Sequence, residues 1–285
     1  MRTGRTVEPL LEALDLDRLD DVTFRSRAVI DSDQRVFGGL VVAQALMAAG
    51  RTVGQTRRPH SLHANFLHGG DPAAPLVLRV ENLRESRAFS TRRTTVDQGG
   101  AAIFTMTTSF QDDEPGLSHQ TPMPSVDGPG GLPSWRNRLA SRARYGTIAH
   151  VEWTALEMRC DDAAVSGENP SLQVWLRTTA PLPDDSLLHA AVLAYASDLT
   201  MLAAVPLPDE TDLPNGVVIA TLDHAMWFLR DLRVDQWLLH DQTSPAAAGG
   251  RGMAWGRVFR EDGLLVATTA QEGLLRPRRP PHDAT

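Results

Sequence analysis

The sequence predicts an α+β protein built from two tandem units, each with one buried helix and a long antiparallel sheet wrapped around it. Two observations support this fold class. Apolar helical runs over residues 40–49 and 187–205 are each followed by four strand-like segments. The last two segments of each set flank a glycine-containing turn, at residues 98–100 and 261–263. One helix followed by long antiparallel strands is typical of an α+β unit.

The first unit is predicted to span residues 1–111. It begins with a short amphipathic helix over residues 7–19, in which Leu19 is the last inward-facing leucine. Gly38 and Gly39 precede the buried helix, and they let backbone or a ligand approach the helix N-terminus closely. The strands of this unit are predicted at residues 22–25, 60–67, 75–83, 89–97 and 101–111.

A linker over residues 112–146 separates the two units. It is rich in proline and glycine and includes a short basic helix predicted at residues 134–144. The second unit covers residues 147–285, with one long core helix over residues 187–205. Its strands are predicted at residues 151–159, 172–178, 217–229, 237–243, 252–260 and 264–275.

The two units repeat each other weakly. The segment that starts at His63 (HANFL) is similar to the one that starts at His224 (HAMWFL), 161 positions later. The second hairpins turn at Gly100 and Gly263, which lie 163 positions apart. Two matches at nearly the same separation indicate a duplicated unit, and we expect a pseudo-two-fold axis to relate the copies.

Composition excludes several classes of function. The chain has 285 residues, a net charge of −7 and no basic block, which argues against a nucleic-acid partner. It has no lysine, so a Schiff-base lysine and a phosphate-loop lysine are both excluded. A single cysteine, Cys160, rules out an intrachain disulfide and a cysteine-based metal cage. We therefore expect neither a metal nor a cofactor.

The predicted location is the cytoplasm. The first 21 residues turn acidic by Glu8 without a continuous apolar region, so they do not read as a signal peptide. No apolar run approaches the ~18–20 residues that a bilayer-spanning helix needs.

The candidate catalytic residues are polar residues that lie within otherwise apolar helices and strands. Asp198 lies roughly 80° from the centre of the apolar stripe of its helix, at the edge of the core and beside Ala191 and Ala194. Thr221 and Gln271 lie in strands, and a glutamine inside a strand must find partners if it is buried.

Each candidate also has a purely structural interpretation. Asp198 could reach water, Thr221 could lie on an exposed strand face, and Gln271 could belong to an edge strand. His224 is interpreted as a packed core histidine, and strict strand alternation would point it away from Thr221. Periodicity alone gives no reason to bring Asp198, Thr221 and Gln271 together. No Gly-x-Ser-x-Gly nucleophile elbow exists, which argues against an α/β-hydrolase.

Several segments, in one order over residues 8–276, resemble the acyl-CoA thioesterase II (TesB-like) family. They are VFGG at residues 36–39 with QAL at 44–46, HSLH at 60–63 with FL at 66–67, YASDL at 195–199, IATLDHAMWF at 219–228 and QEG at 271–273. The family has a double hotdog fold, so the resemblance implies that architecture here.

The resemblance also implies a function and a site. The family hydrolyses fatty acyl-CoA to a free fatty acid and CoA without a cofactor. Its catalytic Asp, Thr and Gln correspond to Asp198, Thr221 and Gln271. The glycines and the acid lie in different units, so we hypothesise one composite site, with Gly38 and Gly39 supplying oxyanion amides and Asp198 the base. The expected partner is an acyl-CoA substrate, and a homo-oligomer, dimeric or tetrameric, is possible.

Two other functions stay open. A hotdog hydratase or dehydratase usually needs a histidine, and a non-catalytic acyl-CoA binding or sensing module would need only the pocket. Turnover of a single thioester separates the binding module from the enzyme. The CoA phosphates need cations, and the candidates are Arg84, Arg87, Arg92, Arg93 and Arg276.

Overall fold

The computed structural model describes residues 6–27, 35–136, 155–161, 165, 168–206 and 217–277. The helices in these ranges are α1 (Glu8–Leu14), α2 (Gly38–Gly50) and α3 (Ser186–Asp198), with 3-10 turns at Pro129–Gly131 and Met201–Ala204. The strands are β1 (Asp17–Arg18), β2 (Thr23–Arg25), β3 (Arg58–Phe66), β4 (Val77–Glu85), β5 (Phe89–Gln98), β6 (Ala101–Gln111), β7 (Leu156–Cys160), β8 (Ser171–Thr178), β9 (Val217–Phe228), β10 (Leu238–Ala248), β11 (Arg251–Arg260) and β12 (Leu265–Pro277). Within the same ranges, no helix has both the length and the apolar character needed to cross a membrane.

All the strands belong to one antiparallel sheet, in the order β1-β2-β4-β5-β6-β3-β9-β12-β11-β10-β8-β7. The order from β3 outward to β1 matches the order from β9 outward to β7, strand for strand. The β3–β9 ladder therefore joins two equivalent halves, as the sequence repeat predicts. The proposed division at residues 111 and 147 stays a prediction, and most of the predicted basic helix lies outside the described residues.

The register of the sheet corrects the predicted repeat by one residue. The pseudo-two-fold axis passes through the facing pair His63 and Ala225, which are 162 positions apart. Each strand of this pair also carries a bulge, at His60 in β3 and at Leu222 in β9, again 162 positions apart. The expected equivalence of His63 with His224 is therefore wrong. A shift of one residue along a strand places a side chain on the opposite face of the sheet. Accordingly, His63 is exposed whereas His224 is buried.

The two long helices lie antiparallel against each other inside the curved sheet. Residues 39–49 of α2 are buried on every side, as expected for a helix that is apolar all round. Gly39 contacts the carbonyl of Tyr195, and at the other end Gly50 contacts Leu187. The N-terminus of α2 therefore meets the C-terminus of α3.

Two predicted helices are shorter than the apolar pattern indicates. The run over residues 187–205 is not one helix, because α3 ends at Asp198 and a 3-10 turn follows. Asp198 is thus the last residue of α3 rather than a mid-helix residue. Helix α1 ends at Leu14, and Leu19 is exposed.

Part of the predicted linker packs on the outer face of the second half. Trp175, Leu239 and Phe259 form a small apolar cluster there, which Met123 and Leu132 cover. The Trp175 indole nitrogen donates to the carbonyl of residue 127 over 2.8 Å. The linker therefore shields apolar side chains that the sheet leaves outside the main core.

Candidate active site

Three side chains from the second half meet at the end of α3. The Asp198 Oδ1 atom accepts hydrogen bonds from Thr221 Oγ1 at 3.0 Å and from Gln271 Nε2 at 2.8 Å. Gln271 Nε2 also donates to Thr221 Oγ1 over 2.9 Å. Both amide protons of Gln271 and the hydroxyl proton of Thr221 are therefore directed into this triangle. The other carboxylate oxygen, Oδ2, is directed toward α2.

The bulge in β9 explains why Thr221 reaches the site. Thr221 faces Gly273 across the β9–β12 ladder, whereas His224 faces Gln271, so Leu222 is the additional residue. The expectation that His224 points away from Thr221 is wrong, because the bulge interrupts strict alternation. Thr221 and His224 both lie on the side of β9 that faces Gln271.

Gln271 is an interior residue of the sheet. Its strand, β12, lies between β9 and β11, and its side chain is 1% exposed. The edge-strand interpretation is therefore wrong, and Thr221, which is half-buried beside Asp198, does not lie on an exposed face.

A buried histidine, His224, contacts Gln271 on the side away from Asp198, and Ser197 in turn contacts this histidine. His224 Nδ1 lies 2.7 Å from Gln271 Oε1, and His224 Nε2 lies 3.0 Å from Ser197 Oγ. Because Oε1 only accepts, Nδ1 must donate. Burial lowers the pKa of His224, which favours a neutral ring with no proton on Nε2. The single hydroxyl proton of Ser197 has two acceptors within reach, this nitrogen at 3.0 Å and the Ala194 carbonyl at 2.9 Å. Ser197 is not among the site residues that the sequence predicts, although it precedes Asp198 directly.

The first half contributes the N-terminus of α2. A Cβ atom added to Gly38 would lie 2.9 Å from Asp198 Oδ2 and 2.9 Å from the ring of Phe66. On Gly39 it would lie 2.6 Å from the carbonyl oxygen of Tyr195. Both glycines are therefore needed for close approach. No side chain caps this helix start, so its first amides stay available.

The pseudo-equivalent position lacks this polar set. Helices α2 and α3 both have 13 residues, so Gly50 ends α2 where Asp198 ends α3. The residue before the bulge is Pro59 in β3 and Thr221 in β9. The counterparts of Asp198, Thr221, Gln271 and His224 are thus Gly50, Pro59, Thr108 and Leu62. The composite hypothesis places one site at Gly38 and Asp198, and the structure brings these two residues together.

The described residues offer no favourable site for a metal ion, nor for a CoA phosphate at Arg92. In the described ranges, no group of three or more His, Cys, Asp or Glu side chains could hold a metal ion. Arg92 is 5% exposed and binds Glu85, Asn82 and Thr52, so it is not free to hold a CoA phosphate.

Solved structures define the class of this fold. A protein of Alicyclobacillus acidocaldarius, described as a conserved protein of unknown function with hot dog fold, matches 94% of this chain and 97% of that chain with a TM-score of 0.73 and 24% identity. The predicted double hotdog is confirmed by this match together with the two equivalent halves.

Sequence comparisons define the family. The family model described as acyl-CoA thioesterase matches residues 150–274, and the one described as acyl-CoA thioesterase N-terminal domain matches residues 28–111. Acyl-CoA thioesterase 2 of Haemophilus influenzae is 37% identical over 94% of this chain and 96% of its own length. Acyl-coenzyme A thioesterase 8 of Rattus norvegicus is 35% identical over 93% and 88%.

A crystal structure agrees with this assignment. Acyl-CoA thioesterase II TesB2 of Mycobacterium marinum is 40% identical, with a TM-score of 0.80 over 94% of this chain and 98% of that one. The chain belongs to the acyl-CoA thioesterase family, and the predicted resemblance is confirmed.

Proposed function

We propose that this protein hydrolyses fatty acyl-CoA to a free fatty acid and CoA at one site formed by both halves. The observation that carries the proposal is the placement of one carboxylate, Asp198, against the uncapped N-terminus of α2. Acyl transfer to water needs a general base and donors for the developing oxyanion, and these two elements supply them. The relatives named acyl-CoA thioesterases support the substrate class.

In the proposed reaction, a water molecule donates a proton to Asp198 Oδ2 and attacks the thioester carbonyl carbon. The carbonyl oxygen becomes an oxyanion, which the backbone N–H groups of Gly38 and Gly39 and the positive end of the α2 dipole stabilise. The intermediate collapses, the C–S bond breaks, and the proton on Asp198 passes to the departing thiolate. The products are the fatty acid and the free thiol of CoA.

Thr221 and Gln271 hold the carboxylate in this proposal. All three of their polar protons are used within the triangle with Asp198 Oδ1. We therefore assign them to fixing Asp198 with Oδ2 toward the water. Fixed placement of a base is what positions a reacting water for attack.

A dehydratase is disfavoured by the burial of His224, which lies beside the site. His224 is fully buried, and both its nitrogens are engaged by Gln271 and Ser197. A histidine that must exchange a proton with substrate needs a free nitrogen within reach of it.

The direct test is hydrolysis of CoA esters of graded acyl length by the purified chain, with thiol release as the readout. We expect saturable release of CoA that depends on chain length. Binding of acyl-CoA without thiol release would favour the sensing module instead. A cytoplasmic location and a homo-oligomer also stay predictions, which cell fractionation and light scattering would check.

A further inference from the structure

The outer face of strands β9, β12 and β11 carries an exposed apolar patch. Trp227 of β9 is 37% exposed on this face, and Trp255 of β11 is 52% exposed. Ala270 of β12 lies between these strands, because it faces Trp255 on one side and Ala225, two residues before Trp227, on the other. We call this surface the tryptophan face, and its apolar residues are Val218, Ala225, Trp227, Met253, Trp255, Ala270 and Leu274.

Alternation along the strands shows which side of the sheet this face is on. A Cβ atom added to Gly273 would meet the side chain of Leu202, in the 3-10 turn after α3, so Gly273 and Gln271 point toward the helices. Ala270, one residue before Gln271, therefore points outward, and its cross-strand partners share its face. The linker packs on the same side of the sheet but covers a different part of it, the cluster around Trp175.

The equivalent face of the first half is polar. The counterparts of Trp227, Trp255 and Ala270 lie 162 or 163 positions earlier in β3, β5 and β6, and they are Asn65, Arg93 and Thr107. The duplicated sheet therefore does not need apolar residues at these positions in order to fold. An exposed apolar patch that only one of two equivalent halves carries indicates an interaction surface.

The size of the tryptophan face fits the centre of a protein interface. It spans three strands that lie about 4.8 Å apart and about nine residues along each strand, which gives an area of about 400 Å². A standard interface takes about 800 Å² from each partner, with an apolar core and a polar rim. His63 and Asn65 of the neighbouring strand β3 extend the same side of the sheet with exposed polar side chains. The tryptophan face therefore has the area of such a core, and β3 supplies part of a rim.

The pattern of large and small residues on this face is complementary to itself. Trp255 lies in one row across the sheet with two small residues, Ala270 and Ala225. A two-fold rotation can place the tryptophan of each copy over the alanines of the other, as an isologous interface requires. Stacked sheets lie about 10 Å apart with interdigitating side chains, so a bulky ring needs small residues opposite it.

The charges on this side of the three strands also favour an identical chain as the partner. The charged residues here are Arg251, Arg257, Arg276, Asp223 and Glu272. Arg257 pairs with Asp241 of β10 over 2.6 Å, which leaves two charges of each sign. The whole chain has a net charge of −7, so two copies repel each other in general, but this face adds no excess charge to that repulsion. A nucleic acid or an anionic membrane would need a basic excess instead.

We propose that two copies of this chain associate through their tryptophan faces, with the outer sides of the two sheets stacked. The proposal assigns a surface to the predicted homo-oligomer. It is independent of the thioesterase reaction, because this face lies on the side of the sheet opposite Gln271 and Asp198.

Analytical ultracentrifugation of the full chain over a concentration series tests the proposal. We expect the wild-type mass to be an even multiple of the chain mass of 31.1 kDa. The double variant Trp227→Asn/Trp255→Arg gives the face the side chains of the first half. It should halve that mass or weaken association about 100-fold or more, because buried interface tryptophans carry much of the binding energy. Leu83→Asn is the control and should keep the wild-type mass, because Leu83 is 45% exposed on β4, outside the tryptophan face.

A second variant separates loss of association from loss of folding. Ala270→Arg adds a bulky charge at the centre of the face and leaves both tryptophans in place, so it should also halve the mass, with urea unfolding as the check that it is folded. The proposal is overturned if the wild type stays at 31.1 kDa up to about 100 µM, or if folded Ala270→Arg keeps the wild-type mass. A monomeric wild type that sediments with phosphatidylcholine vesicles would assign the face to a lipid surface and would overturn the proposal equally.

Discussion

Gly38→Ala tests whether the two halves form one site. The added methyl group would lie 2.9 Å from Asp198 Oδ2 and 2.9 Å from the Phe66 ring. Ordinary contacts begin near 3.4 Å, so the carboxylate or the ring must move by about 0.5 Å. Displacement by about 1 Å can lower a rate about 100-fold, so half that shift predicts a fall in kcat of about 10-fold. Overpacking should also cost about 1–3 kcal/mol of unfolding free energy.

The assay is steady-state hydrolysis of one acyl-CoA, with urea unfolding measured in parallel. Gly54→Ala is the matched control, because an added Cβ there has no neighbour within 4 Å. We expect Gly54→Ala to keep the wild-type kcat and stability. If Gly38→Ala has the same kcat as Gly54→Ala, the first half does not approach the reacting carboxylate, and the composite site is refuted.

Three further predictions follow from the same contacts. Gln271→Ala should lower kcat and kcat/KM equally and should also destabilise the fold, since its side chain is 1% exposed; a change in KM alone would make it a pocket residue. The double variant Asp198→Asn/Gln271→Ala should have a kcat only slightly below that of Asp198→Asn, because both substitutions act on one carboxylate. A loss in kcat equal to the product of the two single losses would contradict this prediction. Burial lowers the pKa of His240 to about 3, so its neutral state stabilises the fold above about pH 6.5 and that stability is lost as the pH falls. Between pH 6.5 and 4.5 the loss from this residue is about 2 kcal/mol in urea unfolding, and His240→Leu should reduce the pH dependence by about that amount. A pH dependence in His240→Leu equal to that of the wild type would contradict this prediction.

Much of the fold is local in origin and could be predicted from the sequence. The apolar helical runs and the alternating strands specify the two units, and the hairpin turn at Gly99 and Gly100 has the positive φ angles that glycine allows. The end of α3 could not be predicted in this way, because the apolar pattern continues through Met201–Ala204 while the backbone changes to a 3-10 turn. Apolar periodicity reports burial and does not report where the hydrogen-bond pattern changes.

The candidate site was predictable only in part. The resemblance brought Asp198, Thr221 and Gln271 into one set, whereas periodicity did not. The partnership of His224 with Gln271 was missed, since a single bulge at Leu222 reverses the face of every residue on one side of it. A bulge is a property of two paired strands, and one strand's sequence does not reveal it.

The most direct test of the proposed mechanism is the kcat of Asp198→Asn for acyl-CoA hydrolysis. Asparagine keeps an oxygen that can accept from Thr221 and Gln271, so the fold and KM should be nearly unchanged. We predict that kcat falls by about 10²–10⁴-fold, the range for losing a general base. A kcat close to the wild-type value in a folded Asp198→Asn protein would contradict the assignment of Asp198 as the base.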